Sequence, residues 1–174
     1  MPVSLVLTVI GQDRPGLVEA ISQSVASHKG SWQESRMARL SGQFAGILRV
    51  SVSERRADAL SAALTSLETH GLQVAVARSD AEPDAADARQ LRLELLGSDR
   101  PGIIRDISEA LADRAINFDE LRTEVVSAPM SGELLFRASA ELRIPWDLEL
   151  EELRKKLEAI ANELMVDIDL DESG

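Results

Sequence analysis

The sequence predicts an α+β protein made of one unit built twice, each copy running strand, helix, strand, strand, helix, strand. Three observations carry this reading. Gly11-Gln12-Asp13-Arg14-Pro15-Gly16-Leu17-Val18 returns 86 positions later as Gly97-Ser98-Asp99-Arg100-Pro101-Gly102-Ile103-Ile104. The apolar pattern switches between period two and period 3.6 in the same order in both halves. Between them lies Ser79-Asp80-Ala81-Glu82-Pro83-Asp84-Ala85-Ala86-Asp87-Ala88, a polar, Ala-rich stretch with one proline that suits a linker. The expected division is one domain over 1–78, a linker over 79–89 and a second domain over 90–172.

Each element follows from local chemistry. Val3, Leu5, Leu7 and Val9 alternate as a strand, and so do Leu91, Leu93 and Leu95. Val6 and Ile10 make the first strand partly apolar on both faces, as expected near a sheet centre. Gly11 and Gly97 end these strands. Pro15 and Pro101 suit a first helical turn, and Asp13 and Asp99 stand close enough to cap it. Leu17, Val18, Ile21 and Val25 then form a helical stripe, matched by Ile103, Ile104, Ile107 and Leu111. Trp32 to Leu40 and Phe44 to Val52 read as a hairpin around Ser41-Gly42-Gln43. Asn117 to Val126 and Glu133 to Leu142 repeat it. Second helices are expected over 56–70 and 147–164, with stripes Leu60, Leu64, Leu67 and Leu153, Leu157, Ile160, Leu164. Final strands follow at Leu72, Val74, Val76 and at Val166, Ile168, Leu170. This order predicts four antiparallel strands with two helices on one face in each domain.

The repeat extends through Ile21 and Ile107, Ser22 and Ser108, Val25 and Leu111, Ala26 and Ala112, Trp32 and Phe118, and Arg36 and Arg122. Beyond the hairpin the offset reads as 90, aligning Gly42 with Gly132, Leu48 with Ala138 and Val52 with Leu142. That offset implies a four-residue insertion near Ser127-Ala128-Pro129-Met130.

Composition narrows the function. The 174 residues carry 19 Lys and Arg against 30 Asp and Glu, a net charge of −11. Residues 1–80 hold eight basic and seven acidic side chains, so the excess of acid lies in the second half. A face for nucleic acid would be basic, so direct nucleic-acid binding is not expected. The absence of cysteine excludes a disulfide scaffold, a thiol nucleophile, a Cys-zinc site and an iron–sulfur cluster, and suits a reducing cytoplasm. No apolar run reaches the roughly 18 residues of a membrane span. The N-terminus lacks the basic flank and cleavage site of a signal peptide. A cytoplasmic protein is the expectation.

Motifs for catalysis are weak. There is no phosphate loop and no dinucleotide fingerprint. His28 and His70 share no motif with a nucleophile. Asp167, Asp169 and Asp171 alternate along one strand, roughly 6.6 Å apart, too far to converge on one ion. They read as charges that protect an edge strand. Neither a metal, a cofactor nor an enzymatic activity is expected.

The G-x-D-R-P-G turn is the sharpest signal. A glycine-bounded turn between a central strand and a helix presents backbone N–H groups at the positive pole of the helix dipole, which suits a carboxylate. Gly16 and Gly102 allow close approach to the backbone, and Arg14 and Arg100 supply planar cations. For an isolated copy, an ordinary helix start with a capping aspartate and a solvated arginine is the favoured explanation, and the recurrence establishes duplication rather than binding. Trp32 and Phe118, early in the second strands, read as core anchors before ligand-stacking groups.

With D-R-P-G after the first strand and this element order twice, the chain resembles a tandem pair of ACT domains, ferredoxin-like modules that respond to amino acids. A stand-alone tandem pair of this length is similar to the glycine cleavage system transcriptional repressor family. The resemblance implies a regulator that senses a small amino acid such as glycine or serine. It further implies a protein partner, such as a DNA-binding activator. A repeat of this kind tends to bury its sheet edges or helices by pairing, so the two copies are expected to pack together and the chain to form a homodimer. It places ligand contacts at Gln12, Asp13, Arg14, Pro15, Gly16 and Leu17, at Ser98, Asp99, Arg100, Pro101, Gly102 and Ile103, and at Asn117. Ser31 stands where the first copy would carry the matching Asn. A ligand-independent ACT interaction protein, or a regulatory subunit of an amino-acid metabolic enzyme, are the other functions compatible with these residues.

Overall fold

Alternation along the first strand puts Leu5, Leu7 and Val9 on one side of the chain, and burying them organises the first unit. A computed structural model describes residues 1–80 and 88–172, which divide into two units. The first contains β1 (Pro2–Gln12), α1 (Leu17–Ser27), β2 (Ser31–Leu40), β3 (Gln43–Ser53), α2 (Glu54–Thr65) and β4 (Leu72–Ser79). The second contains β5 (Arg89–Ser98), α3 (Ile103–Ala112), β6 (Asn117–Ser127), β7 (Leu134–Ile144), α4 (Leu150–Leu164) and β8 (Val166–Glu172). The sheets run β2-β3-β1-β4 and β6-β7-β5-β8, and every pairing is antiparallel. The predicted α+β fold is therefore present in both units. Most of the linker expected at 79–89 lies outside the described residues.

Each unit has a core of its own. In the first, β1 packs on Leu17, Ile21 and Val25 of α1 and on Leu60 and Leu64 of α2. In the second, Leu91, Leu93 and Leu95 pack on Ile103, Ile107 and Leu111 of α3 and on Leu153 and Leu157 of α4. Both helices of a unit bury against the same alternate residues, so the other face of each sheet stays open. Trp32 and Phe118 are partly buried against these cores, as expected of anchors.

Several sequence expectations need correction. Phe44 pairs with Gly11 and Phe136 with Gly97, so the offset between β3 and β7 is 92 rather than 90. Leu48 corresponds to Ala140 and Val52 to Ile144. The insertion is thus six residues. The first hairpin closes tightly on Ser41 and Gly42, both at positive φ (49° and 79°), as a two-residue turn requires. The second spreads over a wider turn, held by Ala128 N donating to the Glu133 carbonyl at 2.8 Å. The shared glycines misled the alignment because Gly42 and Gly132 sit in turns of different length.

The second helices also differ in detail. The expected helix 56–70 begins at Glu54 and tightens into a 3₁₀ turn over Ser66–His70, closed by left-handed Gly71 (φ 80°). The last helix starts at Leu150, not Asp147, because Leu148 N first closes a turn on the Pro145 carbonyl at 3.2 Å. Val18 is 45% exposed. It is turned about 100° from Leu17 and falls on the rim of the stripe. Among the described residues no helix is long and apolar enough to cross a membrane.

Candidate ligand-binding turns

The two G-x-D-R-P-G segments occupy equivalent places. Each leaves the central strand of its sheet and enters the first helix of its unit. Gly16 (φ 92°) and Gly102 (φ 90°) are the residues immediately before the helices, and both are left-handed. That conformation, favourable only to glycine, is what the sequence position demands. A Cβ on Gly16 would meet nothing within 4 Å, so backbone conformation alone selects glycine there.

This geometry revises two expectations. Pro15 and Pro101 precede the helices and stand in the turn itself. Asp13 and Asp99 make no capping hydrogen bond from their side chains. Their backbone amides are used instead: Asp13 N donates to the Gly42 carbonyl and Asp99 N to the Leu134 carbonyl, each at 2.9 Å. The Asp13 carboxylate lies 3.6 Å from Arg39. With no acidic cap in place, the helix N-termini keep their amides. The first intrahelical bonds are Ala20 N to Gly16 O and Asp106 N to Gly102 O, each at 3.0 Å. The amides of the three residues before each donor have no intrahelical acceptor.

The surroundings of the two turns differ. In the first unit Gln12, Asp13, Arg14, Pro15 and Gly16 are exposed and Leu17 is buried beneath them. A terminal nitrogen of Arg14 comes within 3.7 Å of where a Cβ on Gly71 would stand, so the guanidinium lies beside the turn before β4. In the second unit Arg105 folds back over the turn, its terminal nitrogen 2.8 Å from where a Cβ on Gly102 would be. The equivalent of Arg105 in the first unit is Glu19. Arg105 also bonds Asp106 through Nε at 3.0 Å. Ser98 Oγ donates to Glu133 at 2.5 Å, tying the turn to the wide hairpin. Arg105 and Glu133 were missed by motif reading, since both lie outside the repeated octapeptide. The helical spacing of Arg105, three residues after Gly102, was the available signal.

Asn117 is not brought to the turn of its own unit. It begins β6 opposite Arg143, which pairs with Gln90 at the start of β5, whereas Ser98 lies at the end of β5. Eight strand residues separate the two levels, about 27 Å. Pro101 is exposed, Gly102 and Arg100 are half-buried and Ile103 is buried. Asp167, Asp169 and Asp171 lie along β8, an edge strand, opposite Leu96, Glu94 and Arg92.

Comparison with known proteins decides the family. The ACT domain pattern matches residues 4–77. A protein of unknown function from Galdieria sulphuraria is 33% identical over the whole of both chains, with a TM-score of 0.85. The chain belongs to the ACT domain family. The pattern falls on the first unit, and the second repeats its strand order and pairing scheme, so the chain is a tandem ACT-domain protein. Its fold is also that of a protein proposed to be a glycine cleavage system transcriptional repressor. That match covers 98% of this chain and 97% of the other, at 20% identity and a TM-score of 0.71. Among curated protein sequences none matches this chain.

Proposed function

We propose that this ACT-domain regulatory protein senses a small amino acid, such as glycine or serine, and acts through protein contacts. The pair of turns carries the reading: each places a left-handed glycine and uncapped amides at a helix N-terminus. A ligand carboxylate would accept from those amides, with the dipole favouring its charge. The second turn is the stronger candidate, because Arg100 and Arg105 accompany it where the first has Arg14 and Glu19. Asn117, distant from that turn within its unit, would join a site only through another ACT module.

The likeness in fold to the proposed glycine cleavage repressor supports a transcriptional role exerted through a protein, such as a DNA-binding activator. The net charge of −11 favours a protein partner over nucleic acid. In this reading the chain is a cytoplasmic homodimer.

Thermal unfolding against the twenty amino acids, each at millimolar concentration, tests the reading. A ligand at 100 times its Kd stabilises by about 2.7 kcal/mol, a rise of roughly 5–10 °C for a chain of this size. A selective rise with glycine or serine, reduced in Gly102→Asp, is the expected outcome. A flat panel would overturn the sensing role and leave a ligand-independent interaction protein.

A further inference from the structure

The open faces of the two sheets have the same geometry and opposite chemistry. Strand register matches them position by position. In the first unit the cross-strand rows read Ala38, Ala45, Ile10, Gln73, then Arg36, Ile47, Thr8, Ala75, then Glu34, Arg49, Val6, Ala77. The equivalent rows in the second unit read Glu124, Arg137, Leu96, Asp167, then Arg122, Ser139, Glu94, Asp169, then Glu120, Glu141, Arg92, Asp171. Three of twelve positions are charged in the first unit and ten of twelve in the second. The second unit therefore shows that this fold accepts a fully charged open face. Nothing in the architecture calls for the apolar one.

Among the described residues of the first unit nothing covers that apolar face. Ile10 is 47% exposed, Ile47 49% and Leu40 78%, while Ala38, Ala45, Ala75 and Ala77 are exposed around them. Its charges gather in one corner, where Arg49 pairs with Glu34 at 3.4 Å. The rest is a flat field of small and branched side chains, and such a contiguous patch marks an interaction surface.

We propose that this face is the dimer interface, with β1–β4 of one copy stacked face to face on β1–β4 of a second copy about a two-fold axis. The proposal rests on the homodimer reading above and assigns it a surface. An occupant must be flat, apolar and nearly uncharged, because a charged surface would lose its water without gaining partners. The same face of a second chain meets those terms, and two-fold symmetry makes it self-complementary. Small side chains let two sheets approach to the usual ~10 Å. Four strands ~4.8 Å apart over about six residues each give on the order of 400 Å² per copy in projection. That is about 800 Å² in total, below a standard specific interface, so the dimer should be weak and dissociate on dilution.

The test copies the charges of the second unit onto the first. Ala38→Glu with Ala45→Arg recreates the Glu124–Arg137 pair, which sits at 3.0 Å on the equivalent face. Ala75→Asp adds the equivalent of Asp169. Sedimentation equilibrium across a concentration series gives the association constant, and circular dichroism confirms folding. Wild type should be a dimer, and the triple variant folded with association weakened at least tenfold. A wild type monomeric at all concentrations would overturn the dimer reading and this proposal together. A variant that remains an equally tight dimer would overturn the proposed face alone. Should the triple variant fail to fold, Thr8→Cys decides: the chain has no other thiol. A short bismaleimide should then link two copies at the centre of the face, and no linked dimer from a dimeric Thr8→Cys protein would overturn the proposal.

Discussion

Gly11 and Gly16 lie five residues apart and are glycine for different reasons. At Gly16 the backbone is left-handed and the surrounding space is empty. Gly16→Ala should cost about 1–2 kcal/mol through conformation alone, with the turn otherwise intact. At Gly11 a Cβ would stand 2.5 Å from the Gly71 carbonyl oxygen, a backbone atom that cannot swing aside. Gly11→Ala should therefore displace β4 from β1 and cost about 1–3 kcal/mol, as overpacking does. Urea unfolding gives both values. Amide exchange separates them, because only Gly11→Ala should loosen the β1–β4 ladder. A Gly11→Ala protein of unchanged stability and exchange would mean that this close approach is absent.

Among the elements, burial outweighs surface charge. Leu157 is 2% exposed between α4 and the second sheet. Leu157→Ala should destabilise the chain by about 2–5 kcal/mol, in proportion to the cavity left behind. Arg137 and Glu124 pair at 3.0 Å with both side chains about half exposed. Removing that pair with Arg137→Ala should change stability by no more than about 1 kcal/mol in denaturant titration. Arg78 joins β4 to α2 through Asp58 at 2.7 Å and Glu54 at 3.5 Å. Its hydrogen bond to Asp58, then the attraction of that carboxylate, raises the pKa of its guanidinium. The clasp therefore keeps its cation through any pH at which the protein is handled.

For the whole molecule the decisive fact is that, among the described residues, the two cores share no residue. Each unit buries its own β-face under its own helices, which is the requirement for an independent folding unit. Leu93→Ala should lower the unfolding midpoint of the second unit and leave the first in place, so that two calorimetric transitions separate further than in wild type. A single transition displaced as a whole would show that the units unfold as one body. The same division separates the proposed binding sites. Gly102→Asp should remove ligand stabilisation from the second turn without disturbing the first.

Element order and type were legible in the sequence because strand and helix periodicities are local and were repeated. The candidate turns were visible for a related reason. A left-handed position before a helix needs glycine, and two copies of one octapeptide expose that need. The hairpin offset was hidden, since turn residues Gly42 and Gly132 look alike while cross-strand pairing places Phe44 beside Gly11 and Phe136 beside Gly97. The same holds for Arg105, which reaches the Gly102 turn through helical geometry, and for Asn117, which strand direction carries to the far end of the sheet. In the sequence Val6 and Ile10 are apolar residues on a central strand. That they join Ala45, Ile47 and Ala75 in one open surface depends on β3 and β4 arriving on either side of β1. Periodicity along the chain thus determined the fold and the turns. The shared surfaces were decided only in the tertiary structure, because their neighbours are far apart in sequence and come together through hydrogen-bonded register.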